Sequence, residues 1–178
     1  MGSLTTVPAL TRRDLLGPPV EAALRAAAYA EKVEVAEIDP GLADTAAFCA
    51  RYDVPLDVSA NCVVVAGRRG GDTRLAACVV LATTRADVNG VVRRRLDARK
   101  CSFAAVDLAV AETGMEYGGI TPVGLPDGWP VLVDGAVAAA AYVVIGSGVR
   151  RSKLGLPGDV VAALPGAEVV DGLAAPTG

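Results

Sequence analysis

The stretch TGMEYGGITPVG, residues 113–124, opens the most unusual part of the sequence. Residues 117–130 contain four glycines and three prolines, which predicts a structured loop rather than a helix or a strand. Glycine lets backbone N–H groups approach a ligand closely, and Pro122 stiffens the exit of the loop. The composition therefore predicts either a loop that directs several N–H groups at one oxygen atom or a tight packing turn that binds nothing.

Short apolar segments separated by turn residues lie on both sides of this loop. Two apolar runs, 61–66 and 75–82, enclose a glycine-rich charged segment and predict an antiparallel hairpin. Other patterns predict strands at 33–38, 100–104, 131–133, 142–145 and 168–170. Helical spacing predicts helices at about 12–30, 44–51, 87–96, 107–113 and 157–164. The first is either continuous or broken into two pieces by the Gly-Pro-Pro segment at 17–19. The interleaved elements predict an α+β fold with a mixed sheet. We expect residues 1–11 to be a flexible lead-in and 12–178 to be a single domain.

The composition excludes several classes of function. The chain of 178 residues has 17 basic and 20 acidic side chains, so no overall positive field attracts DNA. It contains no histidine, which removes Ser-His-Asp and Cys-His catalysis and every histidine-containing metal site. The four cysteines are scattered without C-x-x-C spacing, so no metal site is expected. Two basic clusters, at residues 93–100 and 150–153, are either solvated faces or phosphate contacts.

Targeting signals are absent from the pattern of the sequence. Residues 1–10 lack a basic segment followed by a sustained apolar one, and the longest apolar run, 135–145, is too short to cross a bilayer. Scattered cysteines fit a reducing compartment. We therefore expect a cytoplasmic protein without a membrane partner.

The loop and the order of the segments around it resemble one known family. Gly118-x-x-x-Pro122, preceded by Thr113-Gly114, resembles the G-x-x-x-P loop of YbaK/ProX-type (YbaK/EbsC) aminoacyl-tRNA deacylases. The surrounding order is also similar: a hairpin, a helix running into Arg99-Lys100, the loop, PVLVD at 130–134, GSG at 146–148 and LPGD at 156–159. The likeness covers residues 33–171.

This resemblance implies a fold, an activity and a substrate. The fold is an α+β, YbaK/ProRS-editing-domain-like mixed and curved sheet with flanking short helices. The activity is trans-editing, the hydrolysis of the ester that joins a wrong amino acid to tRNA, which serves translation fidelity. The partner is the aminoacyl-tRNA acceptor end, no metal or organic cofactor is used, and a small pocket selects the amino acid by size.

The candidate site residues follow from aligning the chain with the family. Asn61, Gly118, Gly119 and Thr121 are the catalytic candidates. The substrate-binding candidates are Tyr117, Ile120, Pro122, Asp134, Gly146, Ser147, Gly148 and Lys100. Asp134 is alternatively a turn-initiating residue, and the GSG segment is alternatively a plain turn after a strand.

One departure from the family concerns the first hairpin strand. The family usually carries a lysine there, in a K-T-L pattern, and the alignment places Asn61-Cys62-Val63 at that point. Asn61 supplies a donor and an acceptor but no ammonium group. Lys100 matches a different family position, one that is structural or faces RNA.

Three functions remain open at this level. The first is a deacylase in which the loop N–H groups stabilise the oxyanion and Asn61 positions the substrate. The second is a binding protein on the same scaffold, which holds an amino acid, a nucleotide or a tRNA end without turnover. The third is a structural partner protein that lacks a pocket beside the loop. Exposed strand edges also favour a homodimer.

Overall fold

The computed structural model describes residues 2–176, which form open β-sheets flanked by short helices. The strands are β1 (Thr6–Pro8), β2 (Glu34–Glu37), β3 (Ala60–Arg69), β4 (Asp72–Leu81), β5 (Thr84–Ala86), β6 (Lys100–Phe103), β7 (Val131–Asp134), β8 (Val143–Gly146), β9 (Ser152–Leu156), β10 (Ala167–Val170) and β11 (Ala174–Pro176). The α-helices are α1 (Pro18–Ala26), α2 (Thr45–Tyr52), α3 (Arg93–Arg95), α4 (Val106–Thr113), α5 (Gly135–Ala139) and α6 (Gly158–Ala162). Tighter or wider helical turns occupy Ala9–Thr11, Arg13–Leu15, Ala28–Lys32, Pro40–Leu42 and Val88–Val92.

The central sheet has five strands in the order β10-β7-β4-β3-β6. Strands β3 and β4 form the predicted antiparallel hairpin, in register from Ala60 opposite Leu81 to Arg69 opposite Asp72. Gly70 and Gly71 make its turn with φ of 60° and 98°, a conformation that favours glycine. Strand β7 runs parallel to both β4 and β10, so the sheet is mixed. The predicted α+β class and mixed sheet are confirmed.

A second sheet of four antiparallel strands, β1-β2-β9-β8, lies beside the first. An isolated parallel bridge between Ser59 and Val144 links the start of β3 to β8. This contact brings the first residues of the hairpin close to the end of β8. The two sheets therefore converge at the point where the candidate residues of β3 and of the GSG segment meet.

The core consists mainly of small aliphatic side chains, as the composition indicates. Val35, Val79, Ile145 and Leu154 are at most 1% exposed and belong to one cluster that joins the two sheets. Burying a side chain of this kind contributes roughly 1.5–3 kcal/mol to folding. Phe48 of α2 is fully buried in a separate cluster beside β8.

Some local structure differs from the sequence prediction. The expected lead-in includes β1, which pairs with β2, and Ala9, which is fully buried and whose N–H donates to the Val33 carbonyl. Its first residue, Met1, and residues 177–178 at the other end of the chain lie outside the described residues. The predicted helix at 12–30 begins only at Pro18, since proline fits the first turn of a helix but not its interior.

The prediction also missed strand β9, which has no clear alternation of β-branched residues.

No helix among residues 2–176 has both the length and the apolar character needed to cross a bilayer.

Candidate active site

The loop that contains residues 113–124 packs against the turn that follows β8, with backbone against backbone. A Cβ atom on Gly119 would lie 2.6 Å from the Val149 carbonyl, and one on Gly146 would lie 2.4 Å from the Gly119 oxygen. Gly148 N–H donates to the Gly119 oxygen at 2.8 Å, and Glu116 N–H donates to the Gly148 oxygen at 2.9 Å. Glycine is required at these positions because any side chain would separate the two segments.

Arg150 holds the loop from outside. Its guanidinium donates to the Tyr117 carbonyl at 3.1 Å and to the Pro40 carbonyl at 3.1 and 3.3 Å. Its backbone N–H donates to a Glu116 carboxylate oxygen at 2.7 Å. Arg150 therefore links the loop to the helical turn at residues 40–42. Its neighbour Arg151 donates to the Asp14 carbonyl.

A cavity of about 200 Å³ opens between this loop and the converging ends of the two sheets. Residues 43–45 at the start of α2 and residues 60–63 of β3 form part of its wall. The remaining lining residues are Tyr117, Gly118, Ile120, Gly146 and Lys153.

Five candidate residues from the sequence meet at this cavity: Asn61, Tyr117, Gly118, Ile120 and Gly146. Asn61 is half-buried on β3, and its side-chain oxygen accepts a hydrogen bond of 2.6 Å from the Thr45 hydroxyl. This bond fixes the orientation of the amide, whose nitrogen donates to no acceptor among residues 2–176. Within the same described range, the backbone N–H groups of Gly118 and Ile120 also have no protein acceptor.

Other loop candidates lie outside the cavity wall. The Gly119 N–H donates to the Glu116 carbonyl at 2.9 Å, so it is used inside the turn rather than offered to an oxyanion. Thr121 is fully buried, and its hydroxyl has no hydrogen-bond partner among the residues that the structure describes. Pro122 lines a different cavity, beside the end of α1.

The remaining candidates also have contacts elsewhere in the fold. Asp134 accepts from Ala136 N–H at 3.0 Å and from Ala174 N–H at 3.1 Å, so it caps α5 and holds β11. The Ser147 hydroxyl is fully buried and contacts that of Ser152 at 2.7 Å. These carboxylate and hydroxyl groups make their hydrogen bonds within the protein, and neither residue lines the cavity.

Two further candidates also lie apart from the cavity. Gly148 packs against the backbone of Gly17. Lys100 is exposed on β6, where it lines a basic groove opposite Arg68. The side chain of Lys100 therefore cannot substitute for the missing ammonium at Asn61.

Lys153 also lines the cavity, although the sequence did not mark it as a candidate site residue. It lies on β9, opposite Gly146 of β8, and is only 8% exposed. Its ammonium donates to the Ala43 carbonyl at 3.1 Å and lies 5.2 Å from the centre of the Phe48 ring. The pKa of Lys153 is lowered to about 8, mainly by burial and also by the charge of Arg150, whereas Cys49 and Asp44 act in the opposite direction.

The signal for Lys153 was weak in the sequence. The lysine follows Arg150 and Arg151 closely, and the three together form one basic cluster. Only its place in the unpredicted strand β9 separates it from these two arginines. Among residues 2–176, no group of three or more cysteine and carboxylate side chains is placed to hold a metal ion.

The sequence matches the aminoacyl-tRNA editing domain family over residues 39–164, a span that includes the whole cavity wall. The chain belongs to this family. The resemblance to YbaK/ProX-type proteins is thereby confirmed. A comparison with curated protein sequences finds no match at a significant level.

Solved structures support the fold of this editing domain. A candidate trans-editing enzyme for prolyl tRNA synthetase is 21% identical, with a TM-score of 0.73, over 88% of this chain and 97% of the other. The hypothetical protein APE2540 is 19% identical, with a TM-score of 0.76, over 88% of this chain and 99% of the other. At this level of identity, the two structures show a shared fold.

Proposed function

We propose that this editing domain hydrolyses the ester bond between a wrong amino acid and its tRNA, and that it acts in trans as an aminoacyl-tRNA deacylase. The observation that carries the proposal is the cavity in which the family loop meets Asn61 of β3. A structural partner protein would need no such cavity, so its presence argues against that alternative.

The size of the cavity favours a small aminoacyl group. Its volume of about 200 Å³ is below the roughly 300–1,000 Å³ of pockets that hold drug-sized ligands. Ala43, Ala60, Gly118 and Gly146 contribute little side-chain volume to its wall, so the backbone sets its limits. Because an editing site selects by size, we expect small amino acids to be released and large ones to be excluded.

The polar groups of the cavity support ester hydrolysis. The N–H groups of Gly118 and Ile120 are two candidate donors for the oxygen that becomes negative when water attacks the carbonyl carbon. The Asn61 amide, oriented by Thr45, is a candidate for positioning the substrate. With no histidine in the chain, the neighbouring ribose hydroxyl of the tRNA is the proposed proton acceptor.

The basic groove supplies a surface for the rest of the acceptor end. It is lined by the positively charged side chains of Arg68, Arg93, Arg99 and Lys100. Within residues 2–176, none of these side chains has a carboxylate within 4.0 Å. Strand β3 runs from the cavity to this groove, a distance of about 23 Å for seven residues. We propose that the groove contacts backbone phosphates.

We retain three other expectations as proposals. Residues 12–178 act as one editing domain, the protein works in the cytoplasm, and two copies pair through an exposed strand edge. Strands β6 and β10 are the outer strands of the central sheet, and Phe103 on β6 and Val169 on β10 are large exposed apolar residues.

The decisive experiment incubates the purified chain with a panel of tRNAs that carry small and large amino acids. We expect release of at least one small amino acid at a rate well above that in buffer, and retention of large ones. An Asn61→Ala variant should lose activity. Binding of the same tRNAs without release of any amino acid would instead support the binding protein, and neither binding nor release would contradict both functions.

A further inference from the structure

The three lysines of the chain lie in very different surroundings. Lys32 and Lys100 are exposed, whereas Lys153 is 8% exposed. An ammonium group has three hydrogens to donate, and among residues 2–176 the only hydrogen-bond acceptor of Lys153 is the Ala43 carbonyl. No carboxylate in this part of the chain lies within 4.0 Å of it.

A buried lysine of this kind lowers the stability of the fold unless its ammonium binds a partner. Burying an ammonium group without a paired carboxylate destabilises a fold, and the contact with the Phe48 ring offsets only part of that cost. A buried ionisable group that lines a concave site is a candidate functional group. Because Lys153 lines the cavity, a ligand there can supply the oxygen atoms that the protein does not.

A negative group lines the same cavity. Asp44 lines it and is exposed, so it belongs to the entrance, whereas Lys153 belongs to the interior. Asp44 occupies the N-cap position of α2, yet its side chain makes no capping hydrogen bond. Among the described residues, its carboxylate also forms no ion pair.

The two charges match the two ends of an α-aminoacyl ester. Such an ester carries a positive α-ammonium and, on the adjacent carbon, a carbonyl oxygen that becomes negative during hydrolysis. Placing the α-ammonium beside Lys153 would bring like charges together at low dielectric. The favourable orientation therefore directs the α-ammonium to Asp44 and the carbonyl oxygen towards Lys153.

We propose that Lys153 is a catalytic residue of this pocket, that its ammonium binds the ester carbonyl oxygen, and that Asp44 binds the α-ammonium of the substrate. The proposal rests on the proposed deacylase function and names its substrate class, aminoacyl esters with an unmodified amino group. The ammonium that the family places on the first hairpin strand comes here from β9, on the second sheet.

The chemical step is hydrolysis of the ester by one water molecule. The oxygen of water forms a bond to the carbonyl carbon, and the electron pair of the carbonyl moves to its oxygen, beside Lys153. As the carbonyl re-forms, the bond from its carbon to the ribose oxygen breaks, and the proton lost by water ends on that oxygen. The products are a free amino acid and a tRNA with an intact terminal ribose.

The first test changes the ammonium. We expect Lys153→Met to lower kcat for deacylation by about 100-fold or more while changing KM little, because the donor matters most in the transition state. Lys32→Met, at an exposed lysine, should keep the activity of the parent. In the double variant Asn61→Lys with Lys153→Met, an ammonium returns to β3, and we expect a partial recovery of kcat.

Thermal unfolding of each variant separates loss of the ammonium from loss of the fold. If Lys153→Met does not fold, Lys153→Gln provides the same comparison with a polar neutral side chain. A folded neutral variant with kcat within twofold of the parent would overturn the role of Lys153.

The second test changes the negative group and the substrate. We expect Asp44→Asn to raise KM at least tenfold with a smaller change in kcat, because binding of the α-ammonium is lost. The parent should release N-acetylated aminoacyl groups at least tenfold more slowly than free ones, and Asp44→Asn should reduce this preference. An unchanged preference in a folded Asp44→Asn variant would overturn the role of Asp44.

A non-hydrolysable probe separates this inference from the proposed function. Adenosine carrying an aminoacyl amide at its 3′ position measures binding without turnover. If the parent binds the probe and Asp44→Asn weakens binding at least tenfold, the charge assignment stands even for a chain that releases nothing from tRNA. If the parent hydrolyses aminoacyl-tRNA but both variants match it, the inference fails while the deacylase function stands.

Discussion

The two ends of β3 carry positive charge in opposite physical settings. At one end, the buried Lys153 and the half-buried Asn61 line the same cavity of about 200 Å³. At the other, the largely solvated side chains of Arg68, Arg99 and Lys100 line an open groove. Water and salt screen the exposed charges of the groove more strongly than the buried ammonium of Lys153. A single cation attracts a negative group strongly where the dielectric is low. Several cations are needed for a comparable attraction where the dielectric is high.

Rigidity distinguishes the two ends as well. The cavity wall depends on backbone contacts that only glycine permits, as Gly119 and Gly146 show. The groove depends on long side chains that reorient easily. We therefore expect the cavity to respond sharply to changes in shape and the groove to respond gradually to changes in charge.

The largest effect should follow from filling the space between the loop and β8. Gly146→Val places a side chain where even a Cβ would lie 2.4 Å from the Gly119 oxygen, so the loop must move. We expect deacylation to fall by about 10²–10³-fold, since misplaced oxyanion donors lose their effect. Overpacking should also cost roughly 1–3 kcal/mol of unfolding free energy.

The matched control is Gly70→Asn in the hairpin turn. Nothing lies within 4 Å of a Cβ there, and asparagine tolerates its φ of 60°. Steady-state deacylation rates and chemical denaturation measure both variants. Equal activity in Gly146→Val and the parent would show that the loop does not position the reacting groups.

The second effect concerns stability and its dependence on pH. The pKa of Lys153 is about 8 in the fold, against an ordinary value of 10.5, so the folded state releases this proton more readily than the unfolded state does. The burial of its charge therefore destabilises the fold fully below pH 8, and this cost disappears as the pH rises towards 10.5. Lys153→Met should raise the unfolding free energy by up to about 3 kcal/mol at pH 7.

Denaturant titrations at several pH values measure this difference. We expect the advantage of Lys153→Met over the parent to shrink between pH 8 and 10.5 and to vanish above that range. Lys32→Met is the control and should show no such trend, because Lys32 is exposed. A constant difference across the range would contradict a buried ammonium at this position.

The third effect is the pH dependence of the reaction. If the protonated Lys153 binds the carbonyl oxygen, the enzyme-dependent rate should fall about tenfold per pH unit above pH 8. Asp44, Cys49 and Arg150 act on the same ammonium, so the midpoint belongs to the group as a whole. Lys153→Arg keeps its charge and should remove this decline. Rates corrected for spontaneous ester hydrolysis measure both profiles, and an increase in the corrected rate above pH 8 would indicate a base instead.

The smallest effect should come from the groove. Arg99→Ala and Lys100→Ala should each weaken tRNA binding severalfold and reduce the slope of log affinity against log salt by about 1 for each phosphate that is no longer neutralised. Release from a short aminoacyl-adenosine ester should not change, since that substrate does not reach the groove. Binding at several salt concentrations measures the slope, and Lys153→Met should leave it unaltered. A normal slope in the groove variants would remove phosphate binding from the role of the groove.

The hairpin, the loop and the mixed sheet were predictable because each has a local pattern. Residues 61–66 and 75–82 are apolar runs around a Gly-Gly turn, and glycines and prolines mark the loop. The family resemblance predicted that Asn61 lies close to Gly118 and Ile120, and all three residues line the same cavity. Their catalytic roles stay predictions.

The hydrogen-bonding state of the loop was not predictable. The sequence marks Gly119 and Thr121 as equal to Gly118, but the Gly119 N–H closes a turn and Thr121 is buried away from the cavity. Which N–H group remains available depends on how the turn folds. A motif gives the identity of these residues and not their directions.

The sequence by itself determined the family, the small-residue core and the loop, because these depend on local patterns of side-chain size and backbone freedom. Only the tertiary structure decided where the cation lies. Residues 61 and 153 are distant along the chain, and the pairing of β9 with β8 brings Lys153 beside Gly146 and into the same cavity as Asn61. Burial of that ammonium beside the Phe48 ring and the Ala43 carbonyl then lowers its pKa, and burial is a property of the packed fold.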